Sequence, residues 1–555
     1  MTTPAQRAPG RPPRIDEAAA VATRQSADAG RSTPVRLAGW MPVVPAVVTL
    51  VVMLWGIGSA SFWRDEAATL TATKRSLPEM VRMLAHVDAV HGAYYLLMWP
   101  LAHVFGASEF VMRLPSAIGM AAAACGTAVI GRRLGRWQTG LLAGLVFAAL
   151  PMTSRYGQEA RSYALVTAVA VLASYLLVKA MDEPCSRLAV EYGLSLVALG
   201  FLNMFGLLLI PAHAITLAVA RRHGSLPEAG RPTGARTSGT APRLASGTAP
   251  RLASGTAGGW ATGTAAGWAI GAGVAFTMII PVAFLAWHER TQLAWLRRPT
   301  FADVMALLTL LTGSRAACVL IAALVAAAVA DASGRFQRVG RPGHSRVPRR
   351  SASLSLLRLG VPWLLLPPVL LIVVSEIKPI YVPRYVVFCL PALALLAGAG
   401  LATLGRYWRI AAVSMLAALA VPNQQAIRQP WGHGDDIRAA ARLLQAQATQ
   451  GDAVLYFKPG FRDFAAAYPY GFTRLRDIGR QESAVAAGNL IGTEVTRQVL
   501  ERRLSGVWRL WLVEVDHYKP AAGLVGWPQF RWIRTWSFDG ITLQLYVHNR
   551  VRVAA

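Results

Sequence analysis

Acidic residues are scarce in this chain. Only 28 Asp and Glu stand against 56 Lys and Arg in 555 residues, and charged residues make up 15% of the total. A soluble globular protein carries about a quarter charged residues, so this composition speaks against one. Cysteine is scarce too: Cys125, Cys185, Cys318 and Cys389 are the whole complement, and none falls in the long C-terminal segment. That excludes a disulfide scaffold there, and the spacings exclude a cysteine metal site. No basic face interleaved with aromatics is present, so the formal charge of +28 does not read as nucleic-acid binding.

What is present is apolar sequence. Hydrophobic residues make up 54%, with a mean hydropathy of +0.39, the composition of a polytopic membrane protein. Stretches long enough to cross a bilayer, or nearly so, fall at 41–59, 113–131, 138–154, 162–180, 188–203, 206–220, 266–287, 315–331, 359–375, 386–404 and 410–422. The first lacks a clear cleavage site and reads as a retained span.

Arginine sets the expected orientation. The N-terminal tail 1–40, the stretch GRRLGRW at 131–137, the loops 221–259 and 333–358, and GRYWR at 405–409 are all basic. Eleven spans place all of them on one side, the cytoplasmic side by the positive-inside rule. The stretch 93–106 contains Pro100 and His103 and is too short to cross. It reads as a juxtamembrane helix, with Tyr94, Tyr95 and Trp99 at headgroup level. Residues 60–112 then form one long external loop. The tail 1–40 reads as disordered. So does the linker around the direct repeat SGTAPRLA at 238–253, whose Gly, Ser, Thr, Ala and Pro cannot bury a core.

Hydropathy drops after 422. DDIRAAARLLQAQ reads as a helix, GDAVLYF as a strand, TEVTRQVLERRL as a helix and VWRLWLVEV as a strand. RWIRTWSF and ITLQLYVHN, joined at Asp539-Gly540, read as a hairpin. The expected fold is an α-helical polytopic membrane protein of eleven spans (41–422) with a small external α/β domain (423–555).

The chemistry-bearing residues fall opposite the basic loops. Asp65 and Glu66 follow the first span, Glu159 follows the third, and Arg384 starts the tenth. Carboxylates beside membrane spans are costly and usually functional. Asp65 reads as a general base or metal ligand, or as a solvated loop charge. Glu159 reads as a second carboxylate facing Asp65, or as an ion pair with Arg155 or Arg161; Tyr156 and Gln158 add hydrogen bonds. Arg384 reads as a fork gripping a lipid phosphate, or as a headgroup-seeking side chain, with Lys378 a weaker candidate for the same role. His91 can contact phosphate, ligate a metal or position an acceptor. His86, Asp88 and His91 could form a metal cluster, but their spacing is not diagnostic.

Together, WRDEA, DAVHGAYYLLMW, FGASEFVMRLPSAIG, RYGQEARSYAL and the order Pro-x-Tyr-Val-x-Arg-Tyr resemble the GT-C membrane glycosyltransferases over about 41–420. The resemblance is to the branch of protein O-mannosyltransferases and aminoarabinose transferases. It implies a sugar donor on a polyprenyl phosphate, bound from the bilayer at the outer face of the plasma membrane. Asp65 matches that family's essential loop Asp, with Glu66 as its companion, and Glu159 matches its second acid. Glu66, His91, Tyr94, Tyr156, Gln158 and Arg161 become positioning candidates. His91 is followed by Gly92 where the family often has Pro. The implied reaction is an inverting single displacement onto a protein, glycolipid or wall-polymer hydroxyl. A divalent metal on Asp65, Glu159 and His91 stays open. So do two other readings: a transporter or flippase of a lipid-linked or anionic solute, and an inactive paralogue. Inverted repeats with matching broken helices, the transporter's mark, are not visible.

Overall fold

The computed structural model describes residues 40–222, 264–288, 296–334, 349–515 and 527–549. The expectations for the tail 1–39, the repeat at 238–253 and most of the 333–358 loop lie outside these residues.

Helices dominate. The apolar runs form α1 (Val43–Leu54), α5 (Glu109–Leu134), α6 (Trp137–Ala149), α8 (Tyr163–Asp182), α9 (Ser186–Leu202), α10 (Leu209–Arg222), α11 (Thr264–His288), α13 (Arg315–Ala332), α14 (Arg349–Ile377), α15 (Leu390–Thr403) and α16 (Arg406–Ile427). Every expected span coincides with one of them. Among the described residues eight helices are long and apolar enough to cross a membrane; α1 and α6 are apolar but shorter, and α9 has 17 residues. Pro151 breaks α6, and α7 (Pro151–Gly157) continues it.

Two features depart from the expectation. A twelfth apolar helix, α12 (Phe301–Thr312), precedes α13. It starts at a Thr300 cap that accepts the Asp303 N–H and ends at Gly313, whose φ of +91° suits glycine. Asn423 donates to the Gly313 carbonyl at 3.0 Å, which holds this short helix beside the end of α16. Second, α16 runs to Ile427 and carries the chain past the expected boundary at 422.

The helix ends sort into two sets. Arg133, at the end of α5, pairs with Asp182 and Glu183 at the end of α8. The Gly-Arg-Arg loop therefore lies at the end opposite Asp65 and Glu159. Small residues let the spans approach closely: a Cβ at Gly398 would come within 2.7 Å of Ala143 backbone, and one at Gly400 within 1.8 Å of the Leu324 carbonyl.

The loop 60–112 is helical: α2 (Arg64–Thr73), α3 (Leu77–Leu84) and α4 (Gly92–Phe105), with Pro100 inside α4. After α16 the chain forms α17 (Ile437–Gln447), β1 (Asp452–Tyr456), α18 (Asp463–Ala467), β2 (Leu475–Asp477), β3 (Arg480–Glu482), β4 (Thr493–Glu494), α19 (Arg497–Leu504), β5 (Arg509–Glu514), β6 (Phe530–Phe538) and β7 (Ile541–His548). The main sheet has the order β2-β1-β5-β7-β6. β2, β1 and β5 are parallel, and β7 and β6 form the antiparallel hairpin. Gly540 turns it with φ +74°.

This sheet is not a separate bead. Phe62, Leu70, Tyr94, Tyr95, Met98 and Met112 share one buried core with Ile437, Leu444, Phe464, Trp511 and Leu543. Polar ties reinforce it: the Tyr468 hydroxyl accepts from the Phe62 N–H at 2.8 Å, and Arg438 pairs with Glu109 at 2.8 Å.

One tie gives a pH prediction. The Asp463 carboxylate accepts from the Thr71 hydroxyl at 3.0 Å, and burial pushes it up to about 7. A raised folded value means the native state holds this proton more tightly than the unfolded chain. The stability it contributes is full below about 4 and is lost as pH rises through about 7. Asp463→Asn cannot ionise. Its melting temperature relative to wild type should therefore climb between pH 5 and pH 8; a constant difference across that range would refute the assignment.

Candidate active site

Helix α2 begins at Arg64, after the extended Ser61-Phe62-Trp63, and places Asp65 in its first turn, where the helix dipole favours a carboxylate. The next residue faces inward. Glu66 is fully buried and takes both arms of Arg113, at 2.8 and 2.7 Å. It also accepts the Ala160 N–H at 2.7 Å and the Trp63 N–H at 3.4 Å. Arg113 donates further to the carbonyls of Ile57, Ala60 and Ser61, each at 2.9 Å. Burial pushes the Glu66 carboxyl up, but the guanidinium pair overrides it and holds the group well below the usual range. The Glu66–Arg113 pair thus fastens the 57–61 turn, α2, α5 and the 159–161 segment together.

That segment carries the second acid. Ser116 donates to the Glu159 carbonyl at 2.6 Å, and Thr69 to the Ala160 carbonyl at 3.1 Å. Glu159 is fully buried. Its Oε2 pairs with Arg155, one turn earlier, and its Oε1 has no hydrogen-bond partner among the described residues. Burial raises the Glu159 carboxyl to about 7, against the pull of Arg155. The ion pair with Arg155, one of the two sequence readings, is what the structure shows. Gln158 faces away and donates to the Met53 and Trp55 carbonyls at the end of α1.

Arg384 is the second residue of the short 3₁₀ segment Pro383–Cys389 before α15. Its Nη2 lies 3.2 Å from Asp65 Oδ2. The Trp63 ring has Arg384 at 5.7 Å and Arg155 at 5.2 Å from its centroid, a cation–π arrangement. Arg161 donates to the Asp65 carbonyl at 3.3 Å and to the Tyr95 hydroxyl at 3.2 Å, and its Nη2 lies 2.8 Å from His91 Nε2. Arginine can only donate, so His91 is the acceptor and neutral; burial and Arg161 push its pKa well below the usual value. Tyr94 and Tyr156 are buried beside the cluster, Tyr156 edge-on to Tyr163 at 5.3 Å.

Asp65, Glu159, Arg384, His91 and Arg161 therefore gather at one end of the helices. Lys378 does not join them; its ammonium sits 4.5 Å above the Trp287 ring. The residues weighed for a metal do not form a ligand set. Asp65, Glu159 and His91 each face an arginine, His86 faces the Arg82 carbonyl at 2.8 Å, and Asp88 accepts from Tyr95 at 2.7 Å. Among the described residues no group of three His, Cys, Asp or Glu comes together. Arg155, Arg161 and Arg384 surround Asp65 and Glu159, with Asp88 behind Tyr95, so an anion that displaces a carboxylate here meets guanidinium donors.

Arg113 and His433 are site residues that sequence reasoning missed. Arg155 was legible only as a salt-bridge partner. Arg113 stood inside a motif, in FVMRLPS, with a burial that spacing does not reveal. His433 lies 3.8 Å from Glu66 but 367 positions away in sequence.

The overall architecture matches solved membrane enzymes. ArnT from Cupriavidus metallidurans aligns over 91% of this chain and 98% of its own, with a TM-score of 0.55 and 13% identity, both in the apo state and bound to undecaprenyl phosphate. The chain has a GT-C fold. A family model described as dolichyl-phosphate-mannose-protein mannosyltransferase matches residues 92–228, the stretch of the GT-C fold from α4 past α10. The likeness to the Archaeoglobus fulgidus oligosaccharyltransferase in complex with Zn and sulfate is fainter, with a TM-score of 0.42 and 12% identity over 85% of this chain and 67% of its own. No curated protein sequence gives a match.

Proposed function

We propose that the chain is a membrane glycosyltransferase. It moves a sugar from a polyprenyl phosphate to an acceptor hydroxyl at the outer membrane face. The observation that carries this is the Asp65–Arg384 pair at 3.2 Å, set in a cluster of arginines where the helices of a GT-C fold end. The acceptor oxygen attacks C1 of the sugar, and the C1–O bond to phosphate breaks with its electrons passing to the phosphate. The acceptor proton goes to Asp65, and the anomeric centre inverts. Arg384 neutralises the leaving phosphate. In the free protein Arg384 is paired with Asp65, so donor binding takes the guanidinium onto phosphate and frees the carboxylate as base. The second oxygen of Glu159, buried and without a partner among the described residues, orients the acceptor. An apolar groove of about 850 Å³, lined by Leu308, Leu311, Ile321, Val325, Leu365 and Ile372, suits the polyprenyl tail.

Mannose is the first sugar to test, and the acceptor is a protein, glycolipid or wall polymer. Lipid-linked sugars compared in cells with and without the protein identify the donor. One polyprenyl-phosphate sugar should accumulate without it; an unchanged pool would refute the function.

On this proposal the active end faces outside and the basic loops face the cytoplasm. Cys185 is exposed at the basic end and reports on this directly. An impermeant maleimide on intact cells should leave Cys185 unlabelled and should label an Arg480→Cys variant. The reverse pattern would invert the orientation.

A further inference from the structure

The N-terminus of α2 has an unusual cap. Its cap residue is Trp63, which has no side-chain acceptor, yet the first-turn N–H groups of a helix need one. The acceptor comes from 371 positions away. Asp435 Oδ2 accepts the Arg64 backbone N–H at 3.1 Å, and the same carboxylate takes the Arg64 guanidinium at 3.1 and 2.8 Å. Asp435 is thus cap and ion-pair partner to the residue beside Asp65. Its carboxylate is almost fully buried, so this contact is not a loose surface pair.

The same loop reaches the second carboxylate. The His433 carbonyl accepts from Arg155 Nη2 at 3.1 Å, and Arg155 is the partner of Glu159. One short loop therefore touches both elements that carry the reacting acids. The loop is itself held from the sheet. The Asp436 N–H donates to the Asp539 carbonyl at 2.9 Å. The hairpin turn packs on it so tightly that a Cβ at Gly540 would come within 2.5 Å of Asp435 Oδ1 and 2.8 Å of the Gly434 carbonyl.

We infer that the 431–436 loop is a positioning device, through which the β6–β7 turn of the C-terminal sheet sets the placement of Asp65 and Glu159. Asp435 and His433 are positioning residues and touch no substrate. The inference rests on the glycosyltransferase reading of Asp65. It gives the C-terminal sheet a role in turnover, distinct from acceptor recognition. An error of an ångström in placing a reacting group can cost about a hundredfold, and loss of the cap lets α2 shift by such amounts.

The test uses purified full-length protein in nanodiscs. Total lipid extract from cells lacking the protein is the donor, and envelope from the same cells is the acceptor. Release of polyprenyl phosphate gives the rate, and binding of undecaprenyl phosphate is measured separately. Asp435→Ala should lose at least about tenfold in rate per folded molecule while its undecaprenyl phosphate affinity stays within about twofold. Asp435→Asn keeps a cap acceptor and should recover part of the rate. Hydrogen exchange should rise in 64–73. Gly540→Ala, which pushes on Asp435 from outside the site, should reproduce the loss, and it stands in if Asp435→Ala does not fold. Asp65→Asn is run beside them. If Asp65→Asn is inactive while Asp435→Ala and Gly540→Ala transfer normally, the positioning inference is wrong and the reading of the site stands. If Asp65→Asn transfers normally, the reading of Asp65 falls and takes the inference with it.

Discussion

Asp65→Asn is expected to fold, to bind polyprenyl phosphate and to transfer sugar at least about a hundredfold more slowly than wild type. The substitution keeps the size of the side chain and one acceptor oxygen but removes the basicity. General-base catalysis is typically worth about 10²–10⁴-fold, which sets the size of the effect. Donor binding should be retained or improved, because a neutral amide holds Arg384 less tightly than the carboxylate that now sits 3.2 Å from it. Arg384→Ala should differ in kind. It removes a phosphate contact in the ground state as well as in the transition state, so donor affinity should fall along with the rate. The comparison is made on purified protein by initial rates at saturating and limiting donor. Near-normal turnover by Asp65→Asn would end the base assignment and leave Glu159 as the next candidate, its carboxyl already raised to about 7 by burial.

Much of this arrangement could be read from the sequence. Hydrophobic runs located the helices because bilayer thickness imposes length and composition together. Basic-loop parity sorted their ends, and the Arg133–Asp182 pair lies at the end that parity assigned to the loops. Asp65, Glu159 and Arg384 were legible because a charge beside an apolar span stands out. The strands β1 and β5 were legible as short apolar runs, and β6, β7 and the Asp539-Gly540 turn as a hairpin from strand composition and turn chemistry. The remainder was hidden for identifiable reasons. Helix α12 is too short and too weakly bounded in hydropathy to register. Glu66 looked like a companion to Asp65, yet a helix turns about 100° per residue, so adjacent acids face different surroundings; one meets Arg384 and the other Arg113. Lys378 was grouped with Arg384 by proximity in sequence, but it lies on Trp287. Asp435 opens the run read as a helix, DDIRAAARLLQAQ, and His433 lies just before it; nothing in either position signals a contact with residues 64–66 or 155. Only the shared core between residues 62–112 and the C-terminal sheet brings that stretch to the site.

The buried hub beside the base should be the most sensitive point for stability. Arg113→Ala leaves Glu66 fully buried without its counter-ion, and breaking such a pair costs about 3–5 kcal/mol. Glu66→Gln leaves the guanidinium buried instead and should cost a similar amount. A simple ion pair would be recovered by replacing both partners with neutral groups of similar volume, since mutual removal is often neutral or stabilising. This hub should not recover in the double variant Glu66→Gln/Arg113→Met. Arg113 also donates to the carbonyls of Ile57, Ala60 and Ser61; Ala60 keeps Arg438 as a second donor, so methionine strands the Ile57 and Ser61 carbonyls at the turn that leads into α2. The pH dependence follows from the same geometry. The Glu66 carboxyl is held well below its usual range, so its stabilising contribution is present above the unfolded value near 4.5 and is lost only as pH falls toward the folded one. The wild-type hub should therefore be insensitive to pH from 6 to 9. Folded yield after solubilisation and melting temperature in detergent measure these effects. A double variant that regains the wild-type melting temperature would show that Arg113 serves Glu66 alone and that the 57–61 turn stands without it.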